Sequence, residues 1–187
     1  MKTIAVDFDD TICKTAEHIL DLVGLFFNET YDMSQLNEYD ISECLNIPKE
    51  IELDAVDLAV SNEDLPLEKG ADEVIRWLSQ FYNIHIVTSR KPEYLEYVED
   101  IIYNNNLAQY ITDIHSSDTK AELVSYMNAV ALIEDNPKYI LKYMNDIDIL
   151  IFDKPWNKHI RNTYNKFRVK NWNEIKDFFM IKLGSKN

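Results

Sequence analysis

The chain has 187 residues, 46% of them hydrophobic, and a net charge of −14 from 19 basic and 33 acidic side chains. Length and apolar share fit one globular domain, or one domain with a small insertion, and exclude a disordered or fibrous chain. The acidic balance excludes duplex nucleic acid as a partner, because such a binder needs a dense basic face.

The chain opens on an apolar run, Thr3–Phe8, that reads as a strand; Asp7, Asp9 and Asp10 break it before it resembles a signal peptide. Lys14–Asn28 follows with a broad apolar face of Ile19, Leu20, Leu22, Val23, Phe26 and Phe27, and Pro48–Val60 with Ile51, Ala55, Leu58 and Ala59 on one side; both read as helices. From Ala71 onward helices and strands alternate. Helices are expected over Ala71–Phe81, Pro92–Asn104, Lys120–Met127 and Pro137–Met144, and strands over Ile84–Thr88, Ile111–His115, Val130–Glu134 and Ile147–Phe152. This alternation predicts an α/β fold: a Rossmann-like parallel sheet of about five strands with helices on both faces, ligands binding beyond the carboxyl ends of the strands. Residues 14–67 interrupt it. They read as a helical insertion above that edge, dividing the chain into a core of 1–13 and 68–187 and a cap of 14–67; extra helices packed on the sheet are the alternative. Residues 154–187 hold 9 basic and 2 acidic side chains, and their apolar spacing predicts a tail folded back onto the acidic body.

Several chemistries are excluded by what is missing. Gly24, Gly70 and Gly184 are the only glycines, so no dinucleotide fingerprint and no P-loop can be written. Cys13 and Cys44 are too few for a cysteine zinc site, and Ile19 and Glu50 stand where a cysteine phosphatase would carry Arg. They read as reduced thiols. No segment approaches the ~20 apolar residues of a membrane span. A soluble cytoplasmic protein without a membrane partner is expected. His18, His85, His115 and His159 show no ligand spacing and read as structural or exposed.

Four polar clusters end apolar strands. Asp7, Asp9 and Asp10 place three carboxylates in four positions, a costly crowding that a cation relieves. An acidic turn capping the next helix is the plainer reading. Thr88, Ser89 and Arg90 offer hydroxyls and backbone N–H groups suited to phosphate oxygens, or a simple helix cap. Lys120 opens a helix, where the macrodipole disfavours it, or is a surface lysine. Glu134 and Asp135 again end a strand before a helix.

In this order, Asp7-x-Asp9-x-Thr11, Thr88, Lys120 and Glu134-Asp135, the sequence resembles the haloacid dehalogenase superfamily of phosphohydrolases. Pro66-x-x-x-Gly70-Ala71, Thr88-Ser89-Arg90, Phe152-Asp153-x-Pro155-Trp156-Asn157 and Arg168-Val169-x-x-Trp172 extend the resemblance to the 5′(3′)-deoxyribonucleotidase-like family. It departs at Asp10, where many members have Gly, at Glu134 in place of Asp, and in a longer Pro66–Gly70 spacing. The resemblance implies an Mg²⁺-dependent phosphomonoesterase acting on nucleoside monophosphates. Asp7 would be the nucleophile and Asp9 the general acid and base. Mg²⁺ would be held by Asp7, the Asp9 carbonyl, and Asp135 or Glu134. Thr88, Ser89 and Lys120 would hold the phosphate. Arg90 would reach phosphate or sugar, or pair with Glu93. Phe26, Phe27 and Tyr31 would pack the cap or stack on a base, core packing being favoured for the two phenylalanines. Trp156 and Trp172 would anchor the C-terminal segment. A phosphatase for sugar phosphates or other small phosphomonoesters, and a non-catalytic phosphate-ligand-binding protein, are the competing readings; a homodimer stays open.

Overall fold

In the computed structural model, which describes residues 1–142 and 147–184, six strands form one sheet with every pairing parallel. They are β1 (Lys2–Val6), β2 (Tyr82–Thr88), β3 (Asp113–Ser116), β4 (Ala131–Glu134), β5 (Asp148–Phe152) and β6 (Lys166–Val169), in spatial order β3-β2-β1-β4-β5-β6. The helices are α1 (Thr15–Phe27), α2 (Ile41–Leu45), α3 (Lys49–Val60), α4 (Ala71–Leu78), α5 (Leu95–Asn104), α6 (Lys120–Tyr126), α7 (Pro137–Lys142) and α8 (Trp172–Gly184). The expected fold class is borne out, with one strand more. Lys166-Phe167-Arg168-Val169 is a four-residue edge strand in which only Val169 is buried, so its apolar signal is weak. Of the helix expected over Pro137–Met144, Tyr143 and Met144 lie outside the described residues.

Burial on both faces explains the continuous apolar runs of the central strands. Ile4 and Val6 of β1 join one core beneath α4, α5 and α8, while Ala5 joins another beneath α6 and α7. The tail closes the first core through Trp172, Ile175 and Phe179, and the Trp172 indole N–H donates to the Thr11 carbonyl at 2.9 Å. Gly70, at φ +82°, adopts the left-handed turn that starts α4.

A third core lies within the insertion, where Ala16, Ile19, Leu20 and Val23 of α1 meet Ala55 and Ala59 of α3. Two expectations need correction here. The buried stripe of α1 ends at Gly24, so Phe26 and Phe27 are 50% and 39% exposed rather than packed. On α3 the small Ala55 and Ala59 make the contact, and Leu58 faces solvent. The chain enters and leaves the insertion side by side. Lys14 N–H donates to the Pro66 carbonyl at 2.9 Å and Glu68 N–H to the Ile12 carbonyl at 2.7 Å.

The C-terminal segment is tied to β5 by charge as well. Asp153 accepts from Arg168 at 2.7 Å and from Lys158 at 2.6 Å. Burial alone would raise its carboxyl, but these two partners hold it below the ordinary carboxylate value. A depressed folded-state pKa contributes stability above the unfolded value near 4 and loses it as pH falls. Asp153→Asn is therefore expected to lower the melting temperature at pH 7, the gap to wild type closing below about pH 4; equal melting temperatures at pH 7 would contradict the assignment.

Candidate active site

The carboxyl edge of the sheet gathers residues from four separate stretches. Asp7 follows β1, its backbone N–H bound to the Ile133 carbonyl of neighbouring β4 at 2.9 Å. Thr88 ends β2, Glu134 ends β4 with Asp135 next, and Lys120 starts α6. Alternation in the extended chain turns Phe8 into the core and leaves Asp7 and Asp9 toward the edge. The loop then turns back through Asp10 in the left-handed region at φ 57°, a conformation Asp tolerates where Gly is easier. The Asp10 carboxylate accepts from the Ala16 N–H at 2.9 Å. Of the three acids, then, Asp10 caps α1 while Asp7 and Asp9 face other work.

Lys120 is the centre of the cluster. Its ammonium, 1% exposed, donates to Asp7 Oδ1 and to Glu134 Oε2, the latter at 3.0 Å, and lies 4.5 Å from the ring centroid of Tyr139. Burial alone would lower its pKa, but the two carboxylates raise it above the ordinary lysine value, so it stays charged. The other Glu134 oxygen accepts from the Asn136 N–H at 3.0 Å. Asp135 Oδ2 accepts from the Trp156 indole at 2.9 Å. Burial, then the charges of Asp7 and Glu134, push Asp135 well above the carboxylate range.

This arrangement fits a divalent cation. Asp7, Glu134 and Asp135 each offer an oxygen, all within 4.8 Å of one another and all buried, against a single ammonium. One like-charged pair at ~4 Å costs about 4 kcal/mol at an effective dielectric of ~20. A hard cation among the three oxygens offsets this repulsion, and carboxylate oxygens are the ligands such an ion prefers. The carboxylate of Asp9 stands outside the group.

Asp9 is instead paired with Arg90. The guanidinium donates through Nη2 at 2.7 Å and Nε at 3.1 and 3.2 Å, and Thr15 Oγ1 adds a bond at 2.6 Å. Burial alone would raise the Asp9 carboxyl; Arg90 and Thr15 hold it below the usual range. The expected pairing of Arg90 with Glu93 is corrected: its ion-pair partner is Asp9. Its Nη1 donates to the Val60 carbonyl of the insertion at 2.9 Å, and its N–H to Thr88 Oγ1 at 3.1 Å.

Above the edge lies a cavity of about 560 Å³ whose floor includes Asp7, Asp9 and Lys120 and whose far wall comes from the insertion. Ser89 lines it too. Phe26 and Tyr31 do not; Tyr31 packs beside the third core and bonds Glu29 at 2.8 Å. The rings that face the cavity are Tyr39, Tyr94 and Trp156. The Trp156 expectation is corrected as well, since Pro155–Asn157 forms a short turn after β5 that carries the indole into the third core and onto Asp135. Trp172 does hold the tail. Tyr39 and Tyr94 carried no signal, because irregular segments and a single helical turn have no periodicity to read.

A parallel sheet with an acid after the first strand, a buried lysine and a second acid pair at one edge is the arrangement of a phosphohydrolase of the haloacid dehalogenase type. The chain belongs to the family described as 5′ nucleotidase, deoxy (Pyrimidine), cytosolic type C protein, which matches residues 1–185. It is a hydrolase of phosphoric monoesters. A haloacid dehalogenase-like family hydrolase from Streptococcus pneumoniae has a similar structure, with TM-score 0.61 and 13% identity over 96% of this chain and 98% of that one. A predicted phosphoglycolate phosphatase from Haemophilus somnus gives TM-score 0.64 and 11% identity over 96% and 98%. YfnB from Bacillus subtilis, bound to magnesium, gives 0.59 and 16% over 95% and 97%. At such identities these share the fold. Among curated proteins none matches. Among the described residues, no helix is long and apolar enough to cross a membrane.

Removing the ammonium isolates two buried carboxylates, which costs about 3–5 kcal/mol when a buried pair loses one partner. Lys120→Met is expected to lose that much in urea denaturation without divalent metal; a loss below about 1 kcal/mol would show that the lysine is not the charge that holds the cluster.

Proposed function

We propose that the protein is an Mg²⁺-dependent phosphatase of nucleoside monophosphates that works through an aspartyl-phosphate on Asp7. The observation that carries this reading is the Asp7 carboxylate on the cavity floor, held by a charged Lys120 beside two further acids. Family membership supports the nucleotide class.

The phosphate of the substrate is placed against Lys120, Thr88 and Ser89. Asp7 attacks phosphorus through one oxygen, the P–O bond to the sugar breaks, and the departing oxygen takes a proton from Asp9. Asp9 then takes a proton from water as that water attacks the acyl phosphate, releasing phosphate and restoring Asp7. Asp9 can hold the first proton only once Arg90 loosens its grip. An incoming phosphate dianion competes for the same guanidinium, which frees the acid when substrate is present. Mg²⁺ held by Asp7, Asp135 and the Asp9 carbonyl would supply the charge that lets a dianion approach carboxylates. Both oxygens of Glu134 already accept protein donors, so this reading makes Glu134 the partner of Lys120 and Asp135 the metal ligand.

Residues 14–67 serve as the cap. Their side-by-side entry and exit give them a narrow attachment, and α3 forms the wall facing the floor. Tyr39 and Tyr94 are the rings placed to meet a base, and Tyr94 OH donates to Asp57 across the cavity mouth. Glu52, Asp54 and Asp57 on that wall repel a second phosphate and so favour monophosphates.

Phosphate release from ribo- and deoxyribonucleoside monophosphates, diphosphates and sugar phosphates tests the reading. Monophosphates of nucleosides are expected to be cleaved best, with activity lost in excess EDTA. Preferential cleavage of sugar phosphates would leave the reaction and replace the substrate, and full activity in EDTA would remove the metal. Within the acid pair, Asp135→Asn is expected to lower Mg²⁺ affinity more than about 100-fold and Glu134→Gln less than that; the reverse order, read by Mg²⁺ titration of activity, would exchange their roles.

A further inference from the structure

The sheet carries a second group of metal-ligand atoms far from the chemistry described so far in character: it is built on imidazoles. His85 lies on β2 and Asp113 and His115 on the edge strand β3. Parallel register sets Asp113 opposite His85 and His115 opposite Val87, so strand alternation puts all three side chains on one face. His85 Nδ1 and His115 Nε2 stand 3.0 Å apart, and His115 Nε2 is 3.5 Å from Asp113 Oδ2. The two rings are near parallel, at 9°, with centroids 5.3 Å apart, so the nitrogens point at each other rather than the faces stacking. Facing nitrogens cannot both carry protons; one offers a lone pair to the other.

We propose that His85, His115 and Asp113 form a second cation site, separate from the carboxylate cluster, for a divalent transition ion of the zinc class. Two nitrogens bound to one such ion at about 2.0–2.1 Å stand about 3.3 Å apart at the tetrahedral angle. The observed separation is within a few tenths of an ångström of that, and the carboxylate oxygen is at a comparable distance. A turn of roughly 35° by each ring toward Asp113 brings both lone pairs onto one ion, which replaces the shared proton. Imidazole nitrogen selects ions such as Zn²⁺, Co²⁺ or Ni²⁺ over Mg²⁺, which prefers oxygen, so the two sites divide their metals by chemistry. Burial, then the neighbouring imidazole, hold His85 below the ordinary histidine value, which keeps it neutral and able to ligate. His115 opens onto a surface cleft shared with Glu122 and Tyr126, which gives the ion a way in. Bound there, the ion ties the edge strand to β2 just before Thr88 and Ser116, the latter donating to the Arg90 carbonyl at 2.6 Å.

The test is a Co²⁺ titration of the metal-free full chain with about 10 mM Mg²⁺ present to fill the oxygen site. The visible absorption of Co²⁺ reports nitrogen ligation at low coordination number. One equivalent is expected to bind with that spectrum and to raise the melting temperature. His85→Gln and His115→Gln are each expected to weaken binding at least about tenfold while Mg²⁺-dependent phosphate release stays at the wild-type rate. Asp113→Asn, an exposed substitution that the fold tolerates, is expected to weaken binding as well and decides the matter should a histidine variant fail to fold. Wild type that takes up no Co²⁺ under Mg²⁺, or variants that bind it as wild type does, would overturn the site.

Discussion

A lysine ammonium removed from water beside two carboxylates is the interaction on which the rest of this structure depends. Lys120 comes from the first turn of α6, Asp7 from the end of β1 and Glu134 from the end of β4, so no two of them belong to the same element. Each would be prohibitive to bury alone. Together they define where the central strands end and where α6 begins. The crossover topology makes this meeting obligatory, because β1 pairs with β4 and α6 is the helix that leads into β4. The charge balance stays incomplete, since Asp135 is buried beside Asp7 and Glu134 and takes its hydrogen bond from the neutral Trp156 indole. That residual imbalance is what suits the edge to a cation and an anionic substrate rather than to packing alone.

The second cation of the floor divides the acids further. Arg90 takes Asp9 and Lys120 takes Asp7, so two carboxylates two residues apart are held in different electrostatic settings. Arg90 also reaches the Val60 carbonyl in the insertion. One guanidinium thus links Asp9, the proton-transfer group of the proposed mechanism, to the element that forms the cavity wall. In the proposed mechanism, displacement of Arg90 by phosphate would change the protonation of Asp9 and loosen the wall contact together.

Much of the fold was legible because parallel strands buried on two faces leave continuous apolar runs, and their polar ends mark the edge where Asp7, Thr88, Lys120 and Asp135 meet. What escaped had a physical reason in each case. β6 is an edge strand of four residues, three of them only half-buried. α2 is a single short turn capped by Asp40. Phe26 and Phe27 share the helical spacing of Ile19 and Val23, but spacing does not say where the facing element stops. The Asp9–Arg90 pair joins residues 81 apart, and His85 meets His115 through strand register, which composition and periodicity do not encode. The cavity rings Tyr39 and Tyr94 come from segments without a repeating pattern.

The central claim is that Asp7 receives the phosphoryl group. Its most direct test is the intact mass of the Asp9→Asn protein after brief mixing with a nucleoside monophosphate and Mg²⁺, followed by acid quench and peptide mapping. The account predicts an adduct of one phosphoryl group on the peptide that contains Asp7, absent when Asp7 is also changed to Asn. An unmodified protein that nevertheless releases phosphate at the wild-type rate would contradict it.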